Sequence, residues 1–297
     1  MNQSFVEKFQ VPKVAQDLLE VFFTPLEIDF VEKISKSIFD KNDILEIVHD
    51  ENFVKESYRR GLINFIDEEE KLYCLNNFYG KLDVFCVTEQ ERYKAIDVSL
   101  RKKLDEWYFD AFYDSLSEKE ISPTPDKIYL LDEMLDFIDS QNRPVYLNYC
   151  DCRSLMGDCG LPTRTCITYK NGINTFAHRG LSLQIDKEKA KEVVKKADQA
   201  GLMHTANPNG ICNCCGDCCY LFRGQKRRKS IGVWPSSPYI IDIDEEKCIG
   251  CGICQRRCHF DVFEIVDRKA KINKDKCVGC GICNQTCPRQ ALSMKGR

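Results

Sequence analysis

The 297-residue sequence has no run of eighteen apolar residues, so it predicts no transmembrane helix. Its first ten residues, MNQSFVEKFQ, have neither the basic start nor the apolar core of a secretory signal, and we therefore expect a cytoplasmic location. Histidine occurs only four times, and neither GxGxxG nor a Walker loop is present. These absences leave serine–histidine catalysis and the binding of nicotinamide, flavin or nucleotides without support.

Cysteine, in contrast, is abundant, with nineteen residues. The odd number argues against a fully paired set of disulfides, and a chain without an export signal uses cysteines mostly as metal ligands or redox groups. Cys74 and Cys86 are the only two before residue 141, and we interpret them as small buried hydrophobic residues. The other seventeen begin at Cys150.

Charge divides the chain in the same place as cysteine does. Residues 1–140 contain 17 basic and 31 acidic side chains, a net charge of −14, whereas residues 141–297 contain 26 and 15, a net charge of +11. The sequence therefore predicts an acidic, metal-free first half and a basic, thiol-rich second half.

The sequence pattern of the first half predicts helices followed by a hairpin. Thr24-Pro25 is typical of a helix start, with Phe30, Val31, Ile34 and Ile38 as its buried stripe. Helices over NDILEIV and ENFVKESYRR follow, and then LINFI and KLYCL flank an acidic turn. This order predicts a winged-helix-like domain. The charge of −14 on residues 1–140 and the glutamates at the hairpin tip argue against nucleic-acid binding by the basic residues of ENFVKESYRR.

The stretch ISPTPD separates the halves. The helix DKEKAKEVVKKADQAG, which starts at Asp186 as N-cap and stops at Gly201, indicates that the thiol-rich middle is folded. We therefore predict an α+β multidomain protein. Its parts are a helical winged-helix-like domain over 1–120, a small α/β cysteine-rich domain over 121–240, and a ferredoxin-like two-cluster domain over 241–297.

The last sixty residues contain two CxxCxxCxxxC runs at an offset of 29 residues, KCIGCGICQRRC and KCVGCGICNQTC. Three thiolates spaced in this way on a tight loop can hold three corners of one cubane. The pair of runs resembles the bacterial-type ferredoxin with two [4Fe–4S] clusters. Zinc is the alternative for paired CxxC units, but two complete runs and Pro288 after the second favour iron. His259 stands where proline is usual after the first run.

The resemblance implies that the fourth cysteine of each run ligates the cluster of the other run. One cluster would then be held by Cys248, Cys251, Cys254 and Cys287. The second would be held by Cys277, Cys280, Cys283 and Cys258.

Nine further cysteines lie in the middle segment, within NYCDCRSLMGDCGLPTRTC and ICNCCGDCC. Thiolates at this density repel one another unless a cation or a cluster neutralises them. An additional iron–sulfur cluster is favoured, and structural zinc or sequestration of copper or arsenic are the alternatives. The candidate ligands are Cys152, Cys159, Cys166, Cys212, Cys214 and Cys215, followed by Cys150, Cys218 and Cys219.

The order of these motifs, CxCR and then CNCCxxCC between a helical domain and a dicluster tail, resembles multi-cluster ferredoxin-like proteins of anaerobic bacteria. The tripeptide Cys214-Cys215-Gly216 also resembles part of the cysteine-rich domain of heterodisulfide reductases. The resemblance of the whole chain implies an architecture but no substrate.

Three functions are consistent with these features. The first is a carrier that relays single electrons between the two [4Fe–4S] clusters and the middle cluster, with a ferredoxin or an oxidoreductase as partner. The second is an oxidoreductase, or a subunit of one, with chemistry at the middle cluster. The third is a redox-sensing DNA-binding regulator that uses the winged-helix-like half.

Overall fold

Residues 3–157 and 159–297 are described in a computed structural model, in which helices and strands are mixed along the chain. Within these residues no helix is both long and apolar enough to cross a membrane.

Residues 3–114 are mainly helical and include one hairpin. In chain order the elements are α1 (Gln3–Lys8), α2 (Leu19–Phe22), α3 (Pro25–Lys33), α4 (Lys41–Val48), α5 (Glu51–Arg59), β1 (Ile63–Asp67), β2 (Leu72–Leu75), α6 (Phe78–Thr88), α7 (Gln90–Lys94) and α8 (Val98–Asp114), with a 3-10 helix at Lys13–Leu18.

The middle of the chain alternates between strands and helices. The elements are β3 (Lys127–Tyr129), α9 (Leu131–Ser140), β4 (Val145–Asn148), α10 (Asp151–Met156), β5 (Cys166–Thr168), β6 (Leu183–Ile185), α11 (Lys187–Gln199), β7 (Met203–Asn207), β8 (Gly210–Cys214) and α12 (Tyr220–Arg228).

The C-terminal part is built from short strands around two cysteine loops. The elements are β9 (Tyr239–Ile243), α13 (Ile253–Arg257), β10 (Phe263–Val266), β11 (Lys269–Ile272) and β12 (Leu292–Gly296), with 3-10 helices at Lys274–Lys276 and Asn284–Thr286.

The fold divides into two units that interleave along the chain. The first unit comprises Met1–Tyr108, Asn148–Gly157 and Lys170–Gln184, and the second comprises Phe109–Leu147, Asp158–Tyr169 and Ile185–Arg297. The mixed α+β class, the helical N-terminal region, the cysteine-rich sheet and the C-terminal cysteine loops agree with the sequence prediction. The boundaries at residues 120 and 240 stay predictions of the sequence.

Phenylalanine rings form the core of the first unit. Phe5, Phe9 and Phe23 contact one another with centroids 4.9–5.7 Å apart, and Phe22 packs edge-on against Phe78 at 5.1 Å. Aromatic pairs of this geometry add to the stability that burial alone provides. The predicted hairpin is present, since β1 and β2 pair antiparallel.

Local signals explain where α3 begins, but not where it ends. Thr24 Oγ1 accepts from the amide of Glu27, and Glu27 Oε2 accepts from the amide of Thr24, so a capping box starts the helix. The helix ends at Lys33, and Ile38, expected on its buried stripe, is 49% exposed. Phe39 instead enters the core and bridges to Tyr73 of the hairpin. Because Phe39 pairs with Tyr73 in an extended conformation, the helix does not continue to Ile38.

A buried ion network joins α3 to the rest of the first unit. Glu27 Oε1 accepts from Arg60 Nε at 2.8 Å and lies 3.8 Å from Lys81 Nζ, and both Glu27 and Lys81 are almost fully buried. Burial by itself would raise the pKa of Glu27, but Lys81, Arg60 and the Thr24 amide together hold it below its usual value.

A six-stranded sheet has the strand order β3-β7-β8-β5-β4-β6, and its strands β3, β7, β8 and β5 belong to the second unit. The pairs β3–β7, β7–β8 and β5–β8 are antiparallel. Helices α9 and α11 cover one face through Met134, Ile138, Ala190 and Val194. Asp186 caps α11 by accepting from the amide of Lys189, as predicted from the sequence.

We expect Glu27→Gln to destabilise the first unit by about 3 kcal/mol, because the change removes the carboxylate that pairs with the buried Lys81 and leaves Arg60 with Glu89 alone. Urea unfolding followed by circular dichroism measures the loss. The stabilisation by Glu27 is complete above its ordinary pKa of 4.5 and is lost as the pH falls through the lowered pKa of the folded state. Asp29→Asn is the control, since the Asp29–Lys33 pair is exposed and should contribute less than about 1 kcal/mol. Equal effects of the two changes would contradict this role for Glu27.

Candidate metal centres

Two cysteine loops occupy equivalent places in the C-terminal part of the second unit. Strands β9 and β12 pair antiparallel, and β10 and β11 form a hairpin. The first loop leads into α13 and then Cys258, and the second leads into the 3-10 helix Asn284–Thr286 and then Cys287. Gly279 has a φ of +80°, and a Cβ there would lie 2.3 Å from the carbonyl oxygen of Tyr239, so only glycine fits this turn of the second loop.

Each loop surrounds a cavity that also receives the fourth cysteine of the other run. The first cavity is lined by Cys248, Cys251, Cys254 and Cys287, with apolar walls from Ile243, Ile265, Ala270 and Leu292. The second is lined by Cys277, Cys280, Cys283 and Cys258, with apolar walls from Ile241, Phe260, Val262, Phe263, Val278, Ile282 and Met294. Four thiols around each of two apolar cavities are the donor set that a [4Fe–4S] cluster requires.

Backbone amides point at several of these sulfur atoms. The amide of Ala270 donates to Cys248 Sγ at 3.4 Å, that of Phe260 to Cys258 Sγ at 3.4 Å, and that of Ala291 to Cys287 Sγ at 3.3 Å. Such N–H donors stabilise negative charge on sulfur and raise the potential of a cluster that the thiolates hold.

The thiols of the second cavity are strongly desolvated. Burial raises the pKa of Cys280 to about 12 and also raises the pKa of Cys283, to which the neighbouring thiols of Cys280 and Cys258 add. Thiolates at these positions therefore need a bound cation, and iron would supply it.

In the middle of the second unit, strand β8 carries two of the candidate ligands. Cys212 and Cys214 are two residues apart, so they face the same side of the sheet. Cys219 Sγ lies 3.2 Å from Cys214 Sγ, and Thr205 Oγ1 lies 3.7 Å from the same sulfur. Hydrogen bonds with Cys212 and Cys219, together with burial, raise the pKa of Cys214 well above its usual value. Cys212, Cys214 and Cys219 form a group that we call the sheet group.

A second group forms at the loop that follows β8. The sulfur atoms of Cys159, Cys215 and Cys218 all lie within 4.8 Å of one another, and the three could hold a metal ion. The amide of Cys218 donates to Cys215 Sγ at 3.3 Å. The hydrogen bond with Cys215, burial and the Cys159 thiol all raise the pKa of Cys218. We call Cys159, Cys215 and Cys218 the loop group.

Cys166 begins β5, next to the sheet group. Ile167 pairs with Ile211 in the antiparallel register of β5 and β8, which places Cys166 across from Cys212. Cys150 and Cys152 belong to the first unit, where they are grouped with Asp151.

The sheet group shares an apolar core with the second C-terminal loop. This core contains Ile128, Met203, Cys214, Cys219, Phe222, Val278 and Ile282, with Cys212, Leu221, Phe260 and Cys280 packed against it. The rings of Phe222 and Phe260 are 5.4 Å apart. Cysteines from the middle segment and from the dicluster segment therefore lie in one water-excluding core.

His259, the departure from the usual proline, lies at the contact between the two regions. A Cβ on Gly216 would lie 2.5 Å from His259 Cβ, so the backbone of the CCGDCC stretch approaches His259 as only glycine allows. His259 Nε2 is 2.8 Å from the carbonyl oxygen of Gly201. Phe222 and Phe260 were not predicted from the sequence as contact residues. Gly216, between two cysteine pairs, is the feature of the sequence that indicates a close approach of another segment to this backbone.

The comparisons with known proteins identify only the C-terminal part. A family model described as a 4Fe-4S dicluster domain matches residues 241–294. The predicted dicluster domain is thus confirmed, and with it an iron–sulfur protein with two [4Fe–4S] clusters, which suggests electron transfer with redox partners. No curated protein and no solved structure matches the chain. The resemblance of the whole chain to multi-cluster ferredoxin-like proteins gains no support from them.

We expect Gly216→Ala to lower the free energy of unfolding by about 1–3 kcal/mol, because the new methyl group must displace His259. Anaerobic urea unfolding of the purified protein measures the change. Gly172→Ala is the control, since a Cβ there has no heavy atom within 4 Å and its φ is not positive. If both variants are equally stable, the approach of Gly216 to His259 is not as described.

Proposed function

We propose that this protein relays single electrons between the two C-terminal [4Fe–4S] clusters and a further iron–sulfur cluster bound by cysteines of the second unit. The observation that carries the proposal is the shared core, in which Cys280 of the second cavity packs with Cys212, Cys214 and Cys219 of the sheet group. Electron transfer requires redox groups held close together in dry surroundings, and this core excludes water between them.

The cysteines that line each C-terminal cavity indicate which four residues would hold each cluster. We assign Cys248, Cys251, Cys254 and Cys287 to one cluster and Cys277, Cys280, Cys283 and Cys258 to the other, as the lining of the two cavities supports. When bound, the clusters supply one-electron oxidation and reduction. The chain's own residues exclude water, orient the sulfur atoms and donate amide hydrogen bonds to them.

Seven thiols of the second unit are candidates for the middle cluster: Cys159, Cys166, Cys212, Cys214, Cys215, Cys218 and Cys219. A structural zinc ion takes four ligands, so one zinc ion would leave three of these thiols without a metal. The sheet group and the loop group together contain more thiols than one zinc ion can bind. This surplus favours iron–sulfur chemistry over zinc or sequestration of a soft metal.

The first C-terminal cavity offers access to an external partner. Cys251 is exposed, and the neighbouring Ile249 is 55% exposed, whereas Cys277 and Cys283 of the second cavity are buried. Arg256 and Arg289 are exposed near this edge. We therefore propose that a redox protein with an acidic surface, such as a ferredoxin or an oxidoreductase, docks there.

The basic run at residues 223–229 has contacts of its own within the second unit. Arg227 pairs with Asp110 at 2.6 Å, Arg228 donates to the carbonyl oxygen of Ser117 at 3.1 Å, and Arg223 lies over the ring of Phe109 at 4.1 Å. These side chains hold α12 against the end of α8 within the second unit.

An oxidoreductase with chemistry at the middle cluster is the second candidate. It is favoured by the number of thiols, which exceeds the four ligands of one cubane, and by the loop group, in which Cys159 is only partly buried. A reducing, oxygen-poor cytoplasm, as in an anaerobe, would suit either function.

A regulator built on a winged-helix-like first half has less support. Arg60, one of the candidate phosphate contacts, is bound by Glu27 and Glu89, and Arg59 lies 3.8 Å from Glu56. The hairpin tip carries Glu68, Glu69 and Glu70, which would repel a phosphate backbone.

Protein purified without oxygen should contain more than about eight irons per chain, because two cubanes supply eight and the middle cluster adds to them. Cys215→Ser should reduce the iron content to about eight, with a matching loss of acid-labile sulfide. Cys74→Ser, which changes a half-buried thiol in the hairpin of the first unit, should leave both contents unchanged. A wild-type content of eight irons plus one zinc ion that Cys215→Ser removes would replace the middle cluster by a structural zinc site.

A further inference from the structure

The first unit contains a group of thiol and carboxyl side chains of its own. The Sγ atoms of Cys150 and Cys152 and a carboxylate oxygen of Asp151 all lie within 4.8 Å of one another. These residues lie where the chain leaves β4 and enters α10, and Cys150 is buried. Two sulfur atoms and one oxygen atom therefore lie close enough together to bind the same ion.

A second carboxylate, that of Asp83, lies next to Asp151 on α6, the helix on which α10 packs, but outside the set of ligand atoms within 4.8 Å of one another. The carboxyl groups of Asp83 and Asp151 are hydrogen-bonded to each other, and the Tyr108 hydroxyl donates to Asp83. Asp83 Oδ1 is buried and, within residues 3–157 and 159–297, has no hydrogen-bond partner. This oxygen atom retains lone pairs for a further partner.

Two buried arginine side chains, those of Arg153 and Arg179, belong to the same unit. Arg179 is itself engaged, since its Nη1 donates to the carbonyl oxygen of Ile63 at 3.2 Å and its Nη2 donates to Asn64. Two carboxyl groups in contact must share a proton or a cation.

We propose that Cys150, Cys152, Asp151 and Asp83 bind one divalent cation of the zinc type. Two thiolates and two carboxylates complete a tetrahedral set with ligands that zinc accepts. The thiolates disfavour magnesium and calcium, and the carboxylates disfavour Cu(I). On binding, the cation takes the place of the shared carboxyl proton and of the two thiol protons, which pass to solvent.

The bound cation has a structural consequence for the first unit. It links Asp83 on α6 to residues 150–152, and these belong to two of the separate chain segments that make up this unit. Such a link fixes the start of α10 against α6 without a disulfide. It also assigns Cys150 and Cys152, which the sequence grouped with the middle cluster, to a separate centre.

The test uses the full-length protein, loaded with zinc under anaerobic conditions and passed through gel filtration. Zinc and iron are measured per chain in the wild type, in Cys152→Ser, in Asp83→Asn and in the control Cys74→Ser. We expect about one zinc ion per chain in the wild type and in Cys74→Ser. In Cys152→Ser and Asp83→Asn the zinc affinity should fall by at least about 100-fold, while iron and sulfide stay at the wild-type level.

Zinc K-edge X-ray absorption of the wild type provides a measurement that does not depend on the folding of any variant. A mixed shell of two sulfur and two oxygen atoms supports the proposal, and a shell of sulfur alone overturns it. The proposal is also overturned if the wild type retains no zinc, or if Cys152→Ser loses iron instead of zinc. The loss of iron would place Cys152 on an iron–sulfur cluster, and the electron-transfer function would stand.

Discussion

The main constraint on the second unit is the free-energy cost of burying many thiols next to one another. In the second cavity, burial raises the pKa of Cys280 to about 12, and in the sheet group the neighbouring thiols and burial raise the pKa of Cys214 far above its usual value. Ionised sulfur is stable at such positions only beside a cation. The iron of the dicluster domain resolves this conflict for the second cavity, and the middle cluster that we propose would resolve it for the sheet group.

The sheet and the dicluster loops together exclude water from the core that they share. Helices α9 and α11 cover one face of the sheet, while Cys212, Cys214 and Phe222 lie in a core with Val278, Cys280 and Ile282 of the second loop. Gly216 and His259 allow the two regions to approach closely. The dicluster region is therefore packed into the second unit, and its second cavity faces the middle cysteines, whereas Cys251 of the first cavity remains exposed.

The sequence predicted the features that depend on short-range spacing. The CxxCxxCxxxC runs, the helix start at Thr24-Pro25 and the cap at Asp186 are local, and each was found as expected. Ile38 was predicted wrongly because a long-range bridge between Phe39 and Tyr73 ends the helical pattern early. The sequence could not predict how the middle cysteines divide into groups. Cys159 and Cys215 meet only through the tertiary fold, as do Asp83 and Asp151.

Low-temperature EPR of the fully reduced protein tests the central claim most directly. If the middle thiols of the second unit hold an iron–sulfur cluster beside the second cavity, the spectrum will integrate to more spins than two cubanes provide. Magnetic broadening between the middle cluster and the neighbouring cubane will then disappear in a Cys280→Ser variant. A spectrum that contains only two interacting cubanes, unchanged in Cys215→Ser, would contradict the account.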